Sequence, residues 1–138
     1  MTRKQLIATA AATAVVLKTG SLLAESPVSP GPYGALADSA SNCIGDGERC
    51  LQHCLELLGG GDKSMEACAK TVRDMLVTCE AMRTLANVKS PHLKKMAAVC
   101  LDACKTCQDA CDKHPAHAVC KRYSDSCKKC IQEIKKIA

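Results

Sequence analysis

The segment Cys100-Leu-Asp-Ala-Cys104-Lys-Thr-Cys107-Gln-Asp-Ala-Cys111 places four thiols at steps of four, three and four, with neither Gly nor Pro between them. That is the spacing of one face of an α-helix. A strand would send Cys100 and Cys107 to opposite faces. The segment therefore predicts a helix with a stripe of sulfur where a bundle helix normally carries Leu. The chain has 12 cysteines but no Trp, no Phe and only two Tyr. Aromatic rings usually supply much of a core's buried area. Here the interior must be filled by aliphatic residues, Met and Cys, and a free Cys packs as a small hydrophobe.

The same rhythm recurs along residues 38–138, which are predicted to form an all-α, antiparallel up-down-up-down four-helix bundle with a cysteine-lined core. The first helix is expected over about 38–58, capped by Ser39 or Ser41, with Cys43, Gly47, Cys50, Cys54 and Leu57 inward; Gly59-Gly60-Gly61 stops it. The second is expected over about 62–86, starting at Asp62 or Ser64 and stopping at Asn87, with Met65, Cys68, Val72, Met75, Cys79 and Met82 inward. The third is expected over about 91–113, with Ser90 as N-cap and Pro91 at the first helical position. It ends before Pro115, because the residue preceding Pro avoids the helical region. The fourth is expected over about 115–137, with Cys120, Tyr123, Cys127, Cys130 and Ile134 inward. Short connections favour antiparallel neighbours, and four amphipathic stripes of shared spacing point to a repeated helix unit.

The N-terminus reads as a targeting segment over residues 1–24, extending to 37 on an alternative cleavage. Arg3 and Lys4 precede an apolar run from Leu6 to Leu17, too short to span a bilayer and suited to a signal sequence. Thr2-Arg3-Lys4-Gln5-Leu6-Ile7 resembles a twin-arginine signal with Lys4 in place of the second arginine, which leaves the Tat and Sec routes both open. Cleavage could follow Ala24, or Ala37 in Ala35-Leu36-Ala37, which fits the small-residue rule better, and residues 25–37 read as a linker rich in Pro, Ser and Gly. The expected location is exported, periplasmic or extracytoplasmic, with no stable membrane insertion once the signal is removed. The net charge of +5 is interspersed rather than blocked. With no basic run and no aromatic platform, no nucleic-acid partner is expected.

Cysteines four apart on a helix lie about 5 to 6 Å apart at Cβ, close enough for two sulfurs to converge on one ion. Soft thiolate and thioether ligands select Cu(I), zinc or iron–sulfur clusters. Structural zinc sites are closed four-ligand sets with ligands usually on turns, and the mid-helix pairs make no obvious tetrahedral set. Ferredoxin-type motifs require a terminal Cys-Pro, which is absent from the sequence. Cu(I) accepts two or three sulfurs, so it can line a narrow core in series. One Cu(I) per thiolate is also neutral in sum, which avoids the cost of burying unpaired charge. The candidate ligands are Cys43, Cys50, Cys54, Cys68, Cys79, Cys100, Cys104, Cys107, Cys111, Cys120, Cys127 and Cys130.

From Cys43 to the C-terminus the chain resembles the four-helix-bundle copper storage proteins, whose helices carry repeated C-x3-C and C-x2-C steps pointing inward. The resemblance implies storage of multiple Cu(I) ions per chain, supplying or detoxifying copper, and assembly as a homotetramer. The third helix matches at all four cysteines. Gly47, Val72, Met75, Tyr123 and Ile134 stand where that pattern would carry further Cys, so a reduced capacity is expected, with the sulfur ladder thin around Val72.

Two histidines, His114 and His117, lie at the turn between the third and fourth helices, and Met65 and Cys68 reach the same end of an up-down bundle. Met65 and His117 are therefore candidate ligands at a copper entrance, while His53 and His92 read as exposed surface residues. The competing reading is a disulfide-stapled helical scaffold or interaction protein, since an exported chain with an even number of cysteines is where disulfides form. Against it, cysteines one turn apart fit disulfide geometry poorly. An enzyme is not expected: Cys104-Lys-Thr-Cys107 and Cys127-Lys-Lys-Cys130 match a redox string but lie inside helices, and nothing marks an oriented base.

Overall fold

The computed structural model describes residues 30–138, so the targeting segment read over residues 1–24 and the first part of the linker lie outside the described residues. Four helices run along the chain: α1 Gly34–Gly59, α2 Glu66–Asn87, α3 Leu93–Cys111 and α4 Ala118–Ile137, with a 3-10 turn over Lys63–Met65. Each helix packs on its two neighbours in the cyclic order α1–α2–α3–α4–α1, and among the described residues the backbones of diagonal helices stay apart, so that only side chains such as those of Cys79 and Cys130 meet across the axis. The result is a square, up-down-up-down bundle whose axis is left to side chains. No helix among the described residues is long and apolar enough to cross a membrane.

The helix ends differ from the sequence expectation in informative ways. α1 begins at Gly34 rather than Asp38, taking the last residues of the presumed linker. Leu36 and Ala37 are buried in the core, and this apolar contact outweighs the Gly- and Pro-rich composition before it. A Cβ on Gly34 would lie 2.6 Å from Cβ of Pro30, so the turn that launches α1 needs a glycine there. Neither Ser39 nor Ser41 caps the helix: the Ser41 hydroxyl donates back to the Ala37 carbonyl at 3.0 Å. The glycine run ends α1 as expected, with Gly61 at φ +93° and the Asp62 N–H closing on the Leu57 carbonyl at 2.9 Å.

Asp62 does cap the next segment, accepting the Ser64 N–H at 3.0 Å, but what it caps is the 3-10 turn, and α2 proper starts at Glu66. α2 ends at Asn87, yet the left-handed residue is Lys89, at φ 52°. Ser90 accepts the His92 N–H on its hydroxyl at 3.2 Å, organising a turn from which α3 starts at Leu93 rather than Pro91. α3 stops at Cys111 rather than 113, and α4 begins at Ala118 rather than Pro115. The His117 N–H to His114 carbonyl bond, 3.0 Å, holds the connection as a turn.

One polar knot closes α1 against α4. Asp46 is buried, and its carboxylate accepts from Arg49 at 2.6 Å, from Arg122 at 2.9 Å and from the Ser126 hydroxyl. Burial works against the charge, but the Ser126 hydrogen bond and the two guanidinium groups prevail and hold the carboxyl below its ordinary range.

Candidate metal centre

All of the predicted cysteine ligands point inward, at 0% exposure apart from Cys111 at 1%. They divide into two groups along the bundle axis. Cys43, Cys79, Cys104 and Cys130, one from each helix, have sulfurs all within 4.8 Å of one another. Cys79 sits at the middle of this group, 3.3 Å from Cys100, 3.9 Å from Cys104 and 4.0 Å from Cys130. Cys43 joins it to Cys127 at 3.9 Å and to the Met75 thioether at 3.6 Å. The other group is Cys50, Cys54, Cys68 and Cys120, again within 4.8 Å. Here Cys50 lies 3.9 Å from Cys120, and Cys68 lies 3.5 Å from Cys111. Cys107 lies between on α3, and its neighbours Cys111 and Cys127 hold its thiol below the ordinary range against the effect of burial. The cysteines are free thiols, and they gather in fours rather than in the pairs a stapled scaffold would need.

The four-sulfur groups correct one expectation: the sequence shows no tetrahedral set, whereas the folded bundle makes two. The i, i+4 steps pair sulfurs along α1 and α3, but only the packing of each helix against its neighbours gathers sulfurs from three or four helices into these groups. Either ring has the ligand number of a structural zinc site, so charge must discriminate. A divalent ion on four thiolates would leave −2 in the interior, and the buried charged and polar residues are Asp46, Ser124 and Ser126, with no buried Lys or Arg. Such an uncompensated charge is strongly disfavoured. Monovalent copper matched one-for-one with thiolates leaves none, and the sulfur donor set suits it.

Electrostatics within the groups follow from burial and mutual hydrogen bonding. Burial, then the charge of Cys68, pushes the Cys120 thiol up to about 11. Cys54 is raised by its contacts with Cys50 and Cys68, and Cys79 by those with Cys100, Cys104 and Cys130. Cys68 is instead lowered, because S–H groups of Cys111, Cys50 and Cys54 surround it. Thiols this close lose their protons as a group rather than singly.

One end of the bundle carries nitrogen ligands. His53 Nε2 and His117 Nδ1 are 2.8 Å apart, and the His114 ring lies 6.0 Å from that of His117. His53 is half-buried, not the exposed surface residue its sequence suggests. Its position beside Cys54 and the antiparallel pairing of α1 with α4 were the signals that could have placed it. Met65 is fully buried at the same end. His92 is exposed, as expected. The opposite end is closed by Leu36, Ala40, Met82, Ala86, Leu93 and Ile134, all buried.

Residues 31–138 match the family model described as "Csp: Copper storage protein". The chain belongs to the copper storage protein family. Among curated proteins, a relative of this family member is the uncharacterized cysteine-rich protein YhjQ of Bacillus subtilis (strain 168). It is 24% identical over 104 residues, spanning 75% of this chain and 94% of the relative. Among solved structures, the Cu(I)-bound copper storage protein BsCsp3 superposes with a TM-score of 0.69 at 23% identity, covering 77% of this chain and 97% of that one. This likeness confirms the four-helix architecture.

Proposed function

We propose that this copper storage protein sequesters several Cu(I) ions per chain on inward-facing thiolates of the bundle core, supplying copper or detoxifying it. The observation that carries the reading is the pair of buried four-sulfur groups in an interior without a compensating cation. Each ion displaces a thiol proton and leaves the core neutral. The reading is of a store, not a catalyst.

The test pairs a thiol count with a titration. Protein handled without air should show close to its 12 cysteines as free thiols after denaturation. It should also take up several Cu(I) ions before a chromophoric chelator responds. Few free thiols and no uptake would instead identify a stapled scaffold. Since protons compete for the same sulfurs, Cu(I) affinity should fall as pH falls, and a flat profile from pH 5 to 8 would count against thiolate ligation. The metal-free chain should show the opposite trend. Burial pushes the Cys120 thiol up from 9.0 to about 11 on folding, so the folded chain holds protons more tightly there, and stability should fall as pH rises over that range and the thiol group to which Cys120 belongs begins to ionise. A urea midpoint measured anaerobically should drop across that window.

We further read the histidine end as the copper entrance, with His117 and His53 as first contacts and Met65 below them. The apolar closure of the opposite end supports this polarity. His53→Ala with His117→Ala should slow uptake several-fold in stopped-flow mixing while leaving final capacity unchanged. Export to the periplasm or another extracytoplasmic space is supported by Arg3, Lys4 and the apolar run after them. Cleavage after Ala24 is preferred, because cleavage after Ala37 would remove the first turn of α1 with its buried Leu36. Assembly as a homotetramer is supported by the family resemblance.

A further inference from the structure

Three positions that break the sulfur stripe fall at one level of the bundle. On α1, Gly47 separates Cys43 from Cys50; on α2, Val72 stands between Cys68 and Cys79; on α4, Tyr123 lies between Cys120 and Cys127. Tyr123 is fully buried, and its ring fills the space that Gly47 leaves: a Cβ there would sit 3.1 Å from Cε2 and Cζ of the ring. The phenol oxygen has no hydrogen-bond partner. Val72 is also fully buried. Only α3 keeps a sulfur at this level, Cys107.

The sulfur contacts respect the same boundary. Hydrogen bonds link Cys79, Cys100, Cys104 and Cys130 and pair Cys43 with Cys127, and the Cys43 sulfur lies within 4.8 Å of those of Cys79, Cys104 and Cys130, which makes one set of the six. Others link Cys50, Cys68, Cys111 and Cys120. Among the described residues, no sulfur–sulfur hydrogen bond crosses from one set to the other.

Cu(I) moves through such a core by exchanging one soft ligand for the next, so its route is set by where sulfur stands. A hydrocarbon side chain offers no ligand, a phenol oxygen is a hard and poor one for this ion, and a bare cation in an apolar gap is prohibitively costly. We propose that the store is divided into two copper pools, an outer one on the histidine side and an inner one beyond it. The Tyr123–Gly47–Val72 layer separates them, and Cys107 is the single sulfur through which ions pass. This division rests on the Cu(I)-storage reading.

The full chain, loaded with Cu(I) and half-stripped with a limiting amount of chelator, tests it. Alkylation with iodoacetamide and peptide mass spectrometry would then report each cysteine, with labelling normalised to the copper-free chain so that burial cancels. The expected result is roughly ten-fold heavier normalised labelling at Cys54, Cys68 and Cys120 than at Cys79, Cys104 and Cys130. In parallel, Cys107→Ser should slow release of the inner pool roughly ten-fold relative to the unaltered chain, since one exchange partner is lost. Even labelling of the two sets, or inner release as fast in Cys107→Ser as in the parent, overturns the division while leaving the store intact. A chain that binds no Cu(I) at all would bring down the storage reading itself. The labelling pattern of the unaltered chain decides the matter even if the variant does not fold.

Discussion

Cys79→Ser should lower Cu(I) capacity more than loss of a peripheral thiol such as Cys54, by roughly one to two ions per chain. The Cys79 sulfur has three sulfur neighbours between 3.3 and 4.0 Å, so every ion seated in that ring would draw on it. A hydroxyl oxygen is a poor ligand for so soft an ion and cannot bridge two of them. Because serine is close to cysteine in size, the helices should survive; far-UV circular dichroism reports this, and titration against a chromophoric chelator reports capacity. Unchanged capacity would mean that the ring around Cys79 holds no copper. Unfolding of the metal-free chain would mean that the thiol is there for packing.

Tyr123→Ala should be the most destabilising single change in the core, by about 3–5 kcal/mol, because it removes a large buried ring and leaves a cavity. Tyr123→Phe should be neutral or slightly stabilising: it deletes a buried hydroxyl that has no hydrogen-bond partner, so no bond is lost and a desolvation cost is removed. The contrast, read as urea midpoints, separates the ring from its oxygen. Gly47 gives a third arm. A β-branched Val there must push against the Tyr123 ring at 3.1 Å and Leu76 at 3.0 Å, an overpacking cost of about 1–3 kcal/mol. That outweighs the roughly 1 kcal/mol by which glycine disfavours a helix. Equal midpoints for the parent and Tyr123→Ala would show that the ring is not part of the packed core.

The stripes were legible because sulfur marks the inward face as clearly as Leu does and is far rarer. Cys100 to Cys111 gave the helix, its facing side and the donor chemistry in one segment. The departures at Gly47, Val72 and Tyr123 were legible too, but only as gaps in a pattern. That they share one level, and that one gap holds the ring of another, depends on how far each helix slides along its neighbour, which spacing within a helix does not encode. The four-sulfur rings were hidden for the same reason. His53 was missed because it lies 64 residues from its partner His117. The helix starts were missed where tertiary contact outweighed local signals: Leu36 drew the helix back past Ser39, and turns organised by Ser90 and by His114 delayed α3 and α4.

The Asp46 knot has a bearing on how the chain reaches its folded form. It joins α1 to α4, and the Ser126 hydroxyl it accepts from is 80 residues away. Every other seam is made between helices that follow one another in the chain. Closing the longest loop costs the most entropy, and such contacts form late. Hairpins α1–α2 and α3–α4 can assemble early, with the last seam waiting for both. Until that seam closes, Cys43 and Cys50 have lost one of the walls that cover them, as have Cys120 and Cys127 across the gap. The hazard of a mistaken disulfide therefore belongs to this interval of folding rather than to the finished bundle.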